Sequence, residues 1–454
     1  MKMQKNKGWL AVVPFLASTL AIATSNVQAA TLTDVVNNAI ATNPEVLIRN
    51  SAASAKTDEV RQARSGYLPE VNLTAGAGFE NSRNATTIGN NDNPYSATKD
   101  QNRTRREAAI TLQQMIFDGF ATSSEVDRQK ARKRAADFEV CSSAEDIGLQ
   151  ATEAYTNVMK EKALVANAQA NVDEHERIVE LIRQRGNSMG TEADVAQAES
   201  RLLLAHANLI SAEASLRDSK TVFQRVVGNL PSQFMKPGAP SGLPGTADQA
   251  VAMAEQHHPI MKITKADVAE AQAQYEASKS AFLPTFTAEL GADWGKDQNG
   301  GKGTTYNHTA MVRMSFNLYN GGADSARKSQ TSKLINEAME IRNRASRQIT
   351  EEVRLSWVAV DSGAKRLVQL KSYESNAKKA RTLYSEQFKA GARTLLDLLD
   401  SQNEYFSAGN SRVRADYDHL YSQYRLLHSE GLLLRQLEAS LPMDNRCGLT
   451  VAQI

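Results

Sequence analysis

Few side chains in this sequence are spaced for catalysis. His257 and His258 are adjacent, but they precede Pro259 at a helix entry, and no His-Glu-x-x-His pair exists to bind zinc. Gly300-Gly301-Lys302-Gly303-Thr304 has the composition of a phosphate loop, yet Lys302 is followed by glycine and the first glycine is misplaced. Lying between two strand-like runs, it reads as a polar loop. Gly76 and Gly78 belong to another such run and lack dinucleotide-binding spacing. Cys141 and Cys447 are too few for a thiolate zinc finger or a dense disulfide scaffold. An aspartate at a helix start is more often a cap than a reacting group. The chain is read as no enzyme, with no resident cofactor or metal.

The composition agrees. With 53 Lys+Arg against 51 Asp+Glu among 454 residues, there is no basic field for nucleic acid. Apolar residues at 41% and aromatics at 6% are lean for a compact enzyme and far too lean for a bundle of membrane helices. Residues 1–29 read as a secretory signal peptide. Lys2, Lys5 and Lys7 form its basic start, Trp9 to Ile22 its apolar stretch, and Val27-Gln28-Ala29 its small-residue cleavage site. The stretch is short of the roughly 20 residues that span a bilayer as a helix. Ala30, not cysteine, follows the cut, so no lipid anchor is expected. An exported chain enters an oxidising compartment where a disulfide is allowed.

Proline and glycine mark the organisation. Pro231, Pro237, Pro240 and Pro244 fall together with Gly228, Gly238, Gly242 and Gly245, and residues 231–246 read as a linker. No proline occurs between Pro94 and Pro231 or between Pro284 and Pro442, which predicts very long helices, the first over 119–184. The halves repeat: Asn43-Pro44 stands 25 residues before Leu68-Pro69, and His258-Pro259 stands 25 before Leu283-Pro284. Phe117-Asp118-Gly119 and Tyr319-Asn320-Gly321 then precede each long helix. Tandem duplication of a roughly 200-residue unit follows, with repeats at 30–230 and 247–441 and a C-terminal tail at 442–454. The polar run Asn81 to Arg103, extra in the first half, reads as an exposed loop.

Two periodicities alternate within each unit. Val71 to Phe79, Phe286 to Trp294 and His308 to Leu318 alternate apolar with polar residues, and Ala108 to Phe117 does so more weakly. Each run is about ten residues, the length of a tilted membrane strand. A soluble sheet with one face on a core shows the same pattern, and the signal peptide favours the membrane. The remainder has a period of seven. Val158, Val165, Val172 and Val179 form one seam. Val195 to Leu230 forms a second, flanked by Ala198, Ala205 and Ala212, and Leu399 to Leu434 forms a third. Sustained heptads mean coiled-coil packing, with alanine allowing close approach. A plain coiled-coil rod would explain the heptads but not the strands between them. Four membrane strands cannot close alone, because transmembrane barrels start at about eight and open edges are not tolerated in lipid. Three copies give about twelve strands, continued by helices into a hollow, water-filled cylinder.

The duplicated strand-and-helix plan, the Asn-Pro and Leu-Pro landmarks and the run Gly391-Ala392-Arg393-Thr394-Leu395-Leu396-Asp397-Leu398-Leu399-Asp400 resemble the TolC family of outer-membrane channel proteins. The resemblance covers essentially the mature chain. It implies an α+β membrane protein: a trimeric, 12-stranded outer-membrane β-barrel with four strands per chain, continued by a periplasmic α-helical coiled-coil barrel. It further implies that Asp397 and Asp400 line the pore constriction as two carboxylate rings, cation-attracting because crowded carboxylates repel one another. Arg393 matches the family arginine that latches the tip closed against an aspartate of the first repeat, here Asp194. Phe388 departs from the pattern, replacing a tyrosine of the latch, and Gly186 and Gly190 make the first tip unusual.

The implied partners are two further copies of the chain, a periplasmic adaptor (membrane fusion) protein, an inner-membrane ABC or other exporter, and outer-membrane lipid, with no nucleic acid. The implied function is the exit duct of a tripartite export system. Polypeptide (type I) secretion is favoured by the missing lipid-anchor cysteine, and small-molecule efflux is the alternative. A non-pore periplasmic coiled coil or adhesin is the reading of another class. No family motif explains the cysteines. Counted along helices from the two tips, Cys141 lies about 70 Å up the first long helix, and Cys447 follows a helix of about 72 Å. A Cys141–Cys447 disulfide pinning the tail is therefore expected.

Overall fold

This computed structural model describes residues 30–84, 87, 100–186 and 192–439. The signal peptide, the 442–454 tail with Cys447, and the first tip at 187–191 lie outside the described residues.

Each Asn/His-Pro landmark is a helix entry. Helix α1 (Leu32–Thr42) starts at a capping box of Thr31 and Asp34, and α2 (Pro44–Ser65) starts at Asn43, whose side chain accepts from Glu45 N. Proline tolerates the first helical position, where its missing N–H would be unpaired anyway. Tyr67, Leu68 and Pro69 then turn the chain into β1 (Glu70–Ser82), which pairs antiparallel with β2 (Gln101–Phe117). The polar run expected as loop from Asn81 is therefore strand at both ends, with Ser82 opposite Gln101 and Glu80 opposite Arg103. Gly119, at φ 68°, makes the turn into the long helix. A Cβ there would stand 2.8 Å from the Ser280 carbonyl, so glycine is required sterically. Helix α3 (Ala121–Gly186) follows over 66 residues, about 100 Å, and α4 (Glu192–Val227) returns against it.

The second half runs through α5 (Ala247–His257), α6 (Pro259–Ser278), β3 (Thr285–Lys296), β4 (Thr304–Ser315), the 67-residue α7 (Ala323–Lys389), α8 (Leu395–Ser429) and the short α9 (Leu433–Gln436). His258 caps α6 by accepting from Ile260 N, which gives that histidine a structural task.

One antiparallel sheet, in the order β1-β2-β3-β4, joins the halves through β2 and β3. The pairing register puts Val71, Leu73, Phe79, Ile110, Leu112, Leu290, Trp294, Tyr306, Val312 and Met314 on one face. The other face carries Glu80, Arg105, Glu107, Glu289, Asp293 and Arg313. Strands β1 and β4 each have one partner among the described residues, leaving both outer edges open.

Among the described residues the helices bury five apolar clusters. The largest gathers Val36 and Ile40 of α1, Tyr155 and Val158 of α3, Phe223 of α4, Leu427 of α8, and Leu433 and Leu434 of α9. The linker is strapped onto it. Phe234 packs on Tyr155 and Phe223 at centroid distances of 5.3 Å each, and the Tyr155 hydroxyl donates to the Ala30 carbonyl and accepts from Met235 N. Tyr424 donates to Gly238 O.

Candidate functional site

The far end of the helices carries the residues singled out from sequence. Gly391, at φ 76°, ends α7 in the left-handed conformation, and Thr394 caps α8. Asp397 is the third residue of that helix and completes the capping box: its carboxylate accepts from the Thr394 backbone N–H at 3.2 Å and from the Thr394 hydroxyl at 2.8 Å. These hydrogen bonds, with a smaller pull from Arg393, hold the Asp397 carboxyl below its usual range. Asp400 follows three residues on, so both carboxylates share one side of α8. Asp400 is 62% exposed and stands 3.6 Å from the Arg201 guanidinium of α4.

Beneath them the tip is held by apolar packing. Ile178, Val179 and Ile182 of α3, Ala198 of α4, Phe388 of α7, and Leu395, Leu398 and Leu399 of α8 form the second core. Phe388 spends its ring there, at 6% exposure. Arg393 donates to Gln387 Oε1 at 3.0 Å, lies 4.4 Å from the Tyr384 ring centroid, and approaches Asp397 at 3.9 Å. Asp194 stands in the first turn of α4. The structure thus joins Arg393 to Asp397, while the pairing with Asp194 is taken up as a proposal below. Tyr384 and Gln387 were not legible in the sequence. They sit one to three turns before the tip as unremarkable polar-face residues, and their spacing from Arg393 across the Gly391 turn is the signal that could have found them.

Above the tip, polar pairs tie the hairpins together. Gln402 donates to Asn171 at 3.0 Å with both side chains buried, Asn167 donates to Asn410 at 2.8 Å, and Arg412 meets Glu374 at 2.7 Å. At the opposite end, ion pairs run along the charged face of the sheet: Arg105 bridges Glu80 and Glu107, and Arg313 grips Glu289 through two bonds of 3.0 Å. Bidentate pairs of this kind suit a wet surface and fix side chains along it. Cys141 is buried on α3, and no cysteine among the described residues is free.

Among the described residues no group of His, Cys, Asp and Glu could hold a metal ion. No described helix is long and apolar enough to cross a membrane. The apolar face of the sheet runs from Phe286 to Trp294 on β3, eight steps or about 27 Å along the strand. Tilted by about 40°, that matches an apolar band of about 25 Å once the flanking rings are included.

Comparisons with known proteins agree with this geometry. The family model described as outer membrane efflux protein matches residues 35–229 and 250–431. The chain is 26% identical to the outer membrane efflux protein BepC of Brucella suis, over 93% of this chain and 88% of that one. It is 24% identical to the outer membrane protein TolC of Vibrio cholerae, covering 97% and 98%, and 22% identical to the proteases secretion protein PrtF of Dickeya chrysanthemi, covering 96% and 97%. In fold it is similar to the outer-membrane channel OprN, with a TM-score of 0.74 at 16% identity over 88% of this chain and 89% of that one.

Proposed function

Because this chain belongs to the outer membrane efflux protein family, a family of non-enzymatic outer-membrane channels, we propose that three copies form the exit duct of a tripartite exporter. The observation that carries this reading is the two-faced sheet with both edges open. A charged face and an apolar face back to back are what a water-filled lumen inside lipid requires. Open edges in lipid leave backbone groups unpaired at several kcal/mol each, so β1 and β4 of neighbouring copies must pair. Leu203, Leu204 and Ile210 on α4, and Leu355 and Val358 on α7, are exposed apolar residues on the long helices, available to neighbouring copies. A periplasmic adaptor and an inner-membrane ABC or other exporter would supply the energy, since a passive channel has none. Polypeptide secretion is the favoured cargo class, with PrtF as a secretion relative; small-molecule efflux is the second reading, favoured by the name of BepC.

In the trimer Asp397 and Asp400 form two stacked rings of carboxylates at the mouth. Single-channel recording of the purified protein in a planar bilayer tests both statements. The wild type conducts, and trivalent cations block it from the tip side. Asp397→Asn with Asp400→Asn weakens that block at least tenfold, by removing the negative charge that attracts the cation. No conductance at all would remove the duct, and block at wild-type affinity would move the constriction elsewhere.

Asp194 and Arg393 act as the latch across the tip. Arg393→Ser with Asp194→Ala raises basal conductance and sensitivity to antibiotics; an unchanged closed state would show that the apolar tip alone holds it shut. The Cys141–Cys447 disulfide is retained as a proposal, and two alkylatable thiols in non-reduced mature protein would sink it.

A further inference from the structure

The two faces of the sheet treat basic residues differently. On the charged face Arg105 pairs with Glu80 and Glu107, Arg313 pairs with Glu289, and Arg103 donates to the Gln101 side chain. On the apolar face Arg106 and Lys296 stand directly opposite each other across β2 and β3. Like charges directly opposite on one face of an antiparallel pair destabilise it. Neither makes an ion pair or hydrogen bond among the described residues, and their neighbours on that face are uncharged: Thr104, Ala108, Trp294, Ala77, Thr304 and Tyr306. Because β2 and β3 are the inner strands, pairing with other copies at β1 and β4 leaves this position uncovered.

The position is also defined in height. The pair lies one row beyond Trp294 and Tyr306 and one row short of Phe79, which is 94% exposed, so it sits within the aromatic girdle at that end of the apolar band. Amphipathic rings of this kind mark the membrane–water interface. This end carries the β1–β2 and β3–β4 connections and is opposite the helices. With the helices in the periplasm, it is the outer leaflet.

We infer that Arg106 and Lys296 form a binding site for the phosphate groups of an anionic glycolipid in the outer leaflet, with Trp294 and Tyr306 against its acyl–headgroup boundary. A phosphate between the two cations turns their repulsion into attraction. Arg106 supplies a planar fork suited to two phosphate oxygens, and Lys296 supplies a point charge. The inference rests on the outer-membrane reading above.

Native mass spectrometry of the purified trimer with bisphosphorylated lipid A tests it. Arg106→Ser with Lys296→Ser requires roughly thirtyfold more lipid A for equal occupancy, while Arg106→Lys with Lys296→Arg binds as the wild type does. Lipid A stripped of both phosphates binds wild type no better than the double serine variant binds the intact lipid. Inorganic phosphate in large excess fails to displace the lipid. Equal occupancy in wild type and the serine variant overturns the site, and displacement by inorganic phosphate reassigns it to a free anion and overturns the lipid. Conductance of the same preparations separates the two readings: serine variants that conduct while binding is unchanged defeat the lipid site alone, whereas wild-type protein that never conducts defeats both.

Discussion

The sheet and the largest helical core break the ordinary rule of burial in opposite directions. The sheet exposes Leu73, Phe79, Tyr306, Val312 and Met314 at 58% or more of their accessible area once Val71 is counted with them. The core hides Glu145 and Glu430, at 5% and 0%. Neither region is an error. The first is resolved by a different solvent, because apolar side chains facing hydrocarbon lose nothing. The second is resolved by a proton. Burial pushes the carboxyls of Glu145 and Glu430 up to about 7 each, so both are readily neutral inside. For Glu145 this happens despite the pull of His428 and an N–H from Leu434 at 3.3 Å. Beside them, burial depresses the His428 imidazole, but its 2.9 Å contact with Asp146 and the charge of Glu145 outweigh that and raise it overall.

The comparison breaks most visibly if a charge is put where lipid is expected. Leu290→Arg, mid-band on β3, costs about 2–4 kcal/mol per copy, three times over in a trimer, and heat-resistant trimer in outer-membrane fractions falls to background. Thr111→Arg, beside it in the ladder but on the charged face, leaves trimer yield unchanged. Equal losses from both would mean that the two faces do not see different solvents.

The core half of the comparison is sharpened by pH. Glu430 binds its proton more tightly folded than unfolded. Its favourable contribution is therefore fully present below about pH 4.5 and is lost as pH rises through about 7. Glu430→Gln removes this slope and raises stability at pH 8 by at most about 3 kcal/mol, read as the denaturant midpoint of the solubilised protein at pH 5 and 8. A variant less stable at pH 8 than the wild type would show that the charged form has a partner.

The smallest effect concerns the strap. Tyr155→Phe leaves Met235 N–H without its acceptor and costs about 1–2 kcal/mol, seen as faster proteolysis within 231–246 while the trimer persists.

Much of this was legible because periodicity is a property of exposure. Val158, Val172 and Val179 recur every seventh residue or its multiple, and all three are buried. The turns before the long helices were legible because glycine was needed at Gly119. The start of β2 was not. Arg103, Arg105 and Glu107 alternate outward into a wet lumen, so the strand advertises charge where the sheet reader looks for apolar residues. The strap was also hidden, since proline-rich chain reads as loop whether it floats or docks, and only Phe234 betrayed a hydrophobic anchor. At the tip, Asp397 and Asp400 were singled out by the resemblance of the run from Gly391 to Asp400 to a known family, and their spacing of three puts them on one side of α8. The partners of Arg393 were missed because stacking on Tyr384 depends on how the chain folds back at Gly391.

The adjacency of β2 and β3 also fixes an order of events. Met115 meets Thr287 in the ladder, so the sheet that holds the halves together closes a loop of more than 150 residues that includes α3, α4 and the strap. Loop-closure entropy grows only slowly with length, but non-local pairings form late and keep edges open meanwhile. During export the first hairpin emerges with β2 unpaired on one side until β3 follows it. A nascent chain of this design is most vulnerable to aggregation in that interval, and covering the open edges of β1 and β2 is the task a periplasmic chaperone would have to perform.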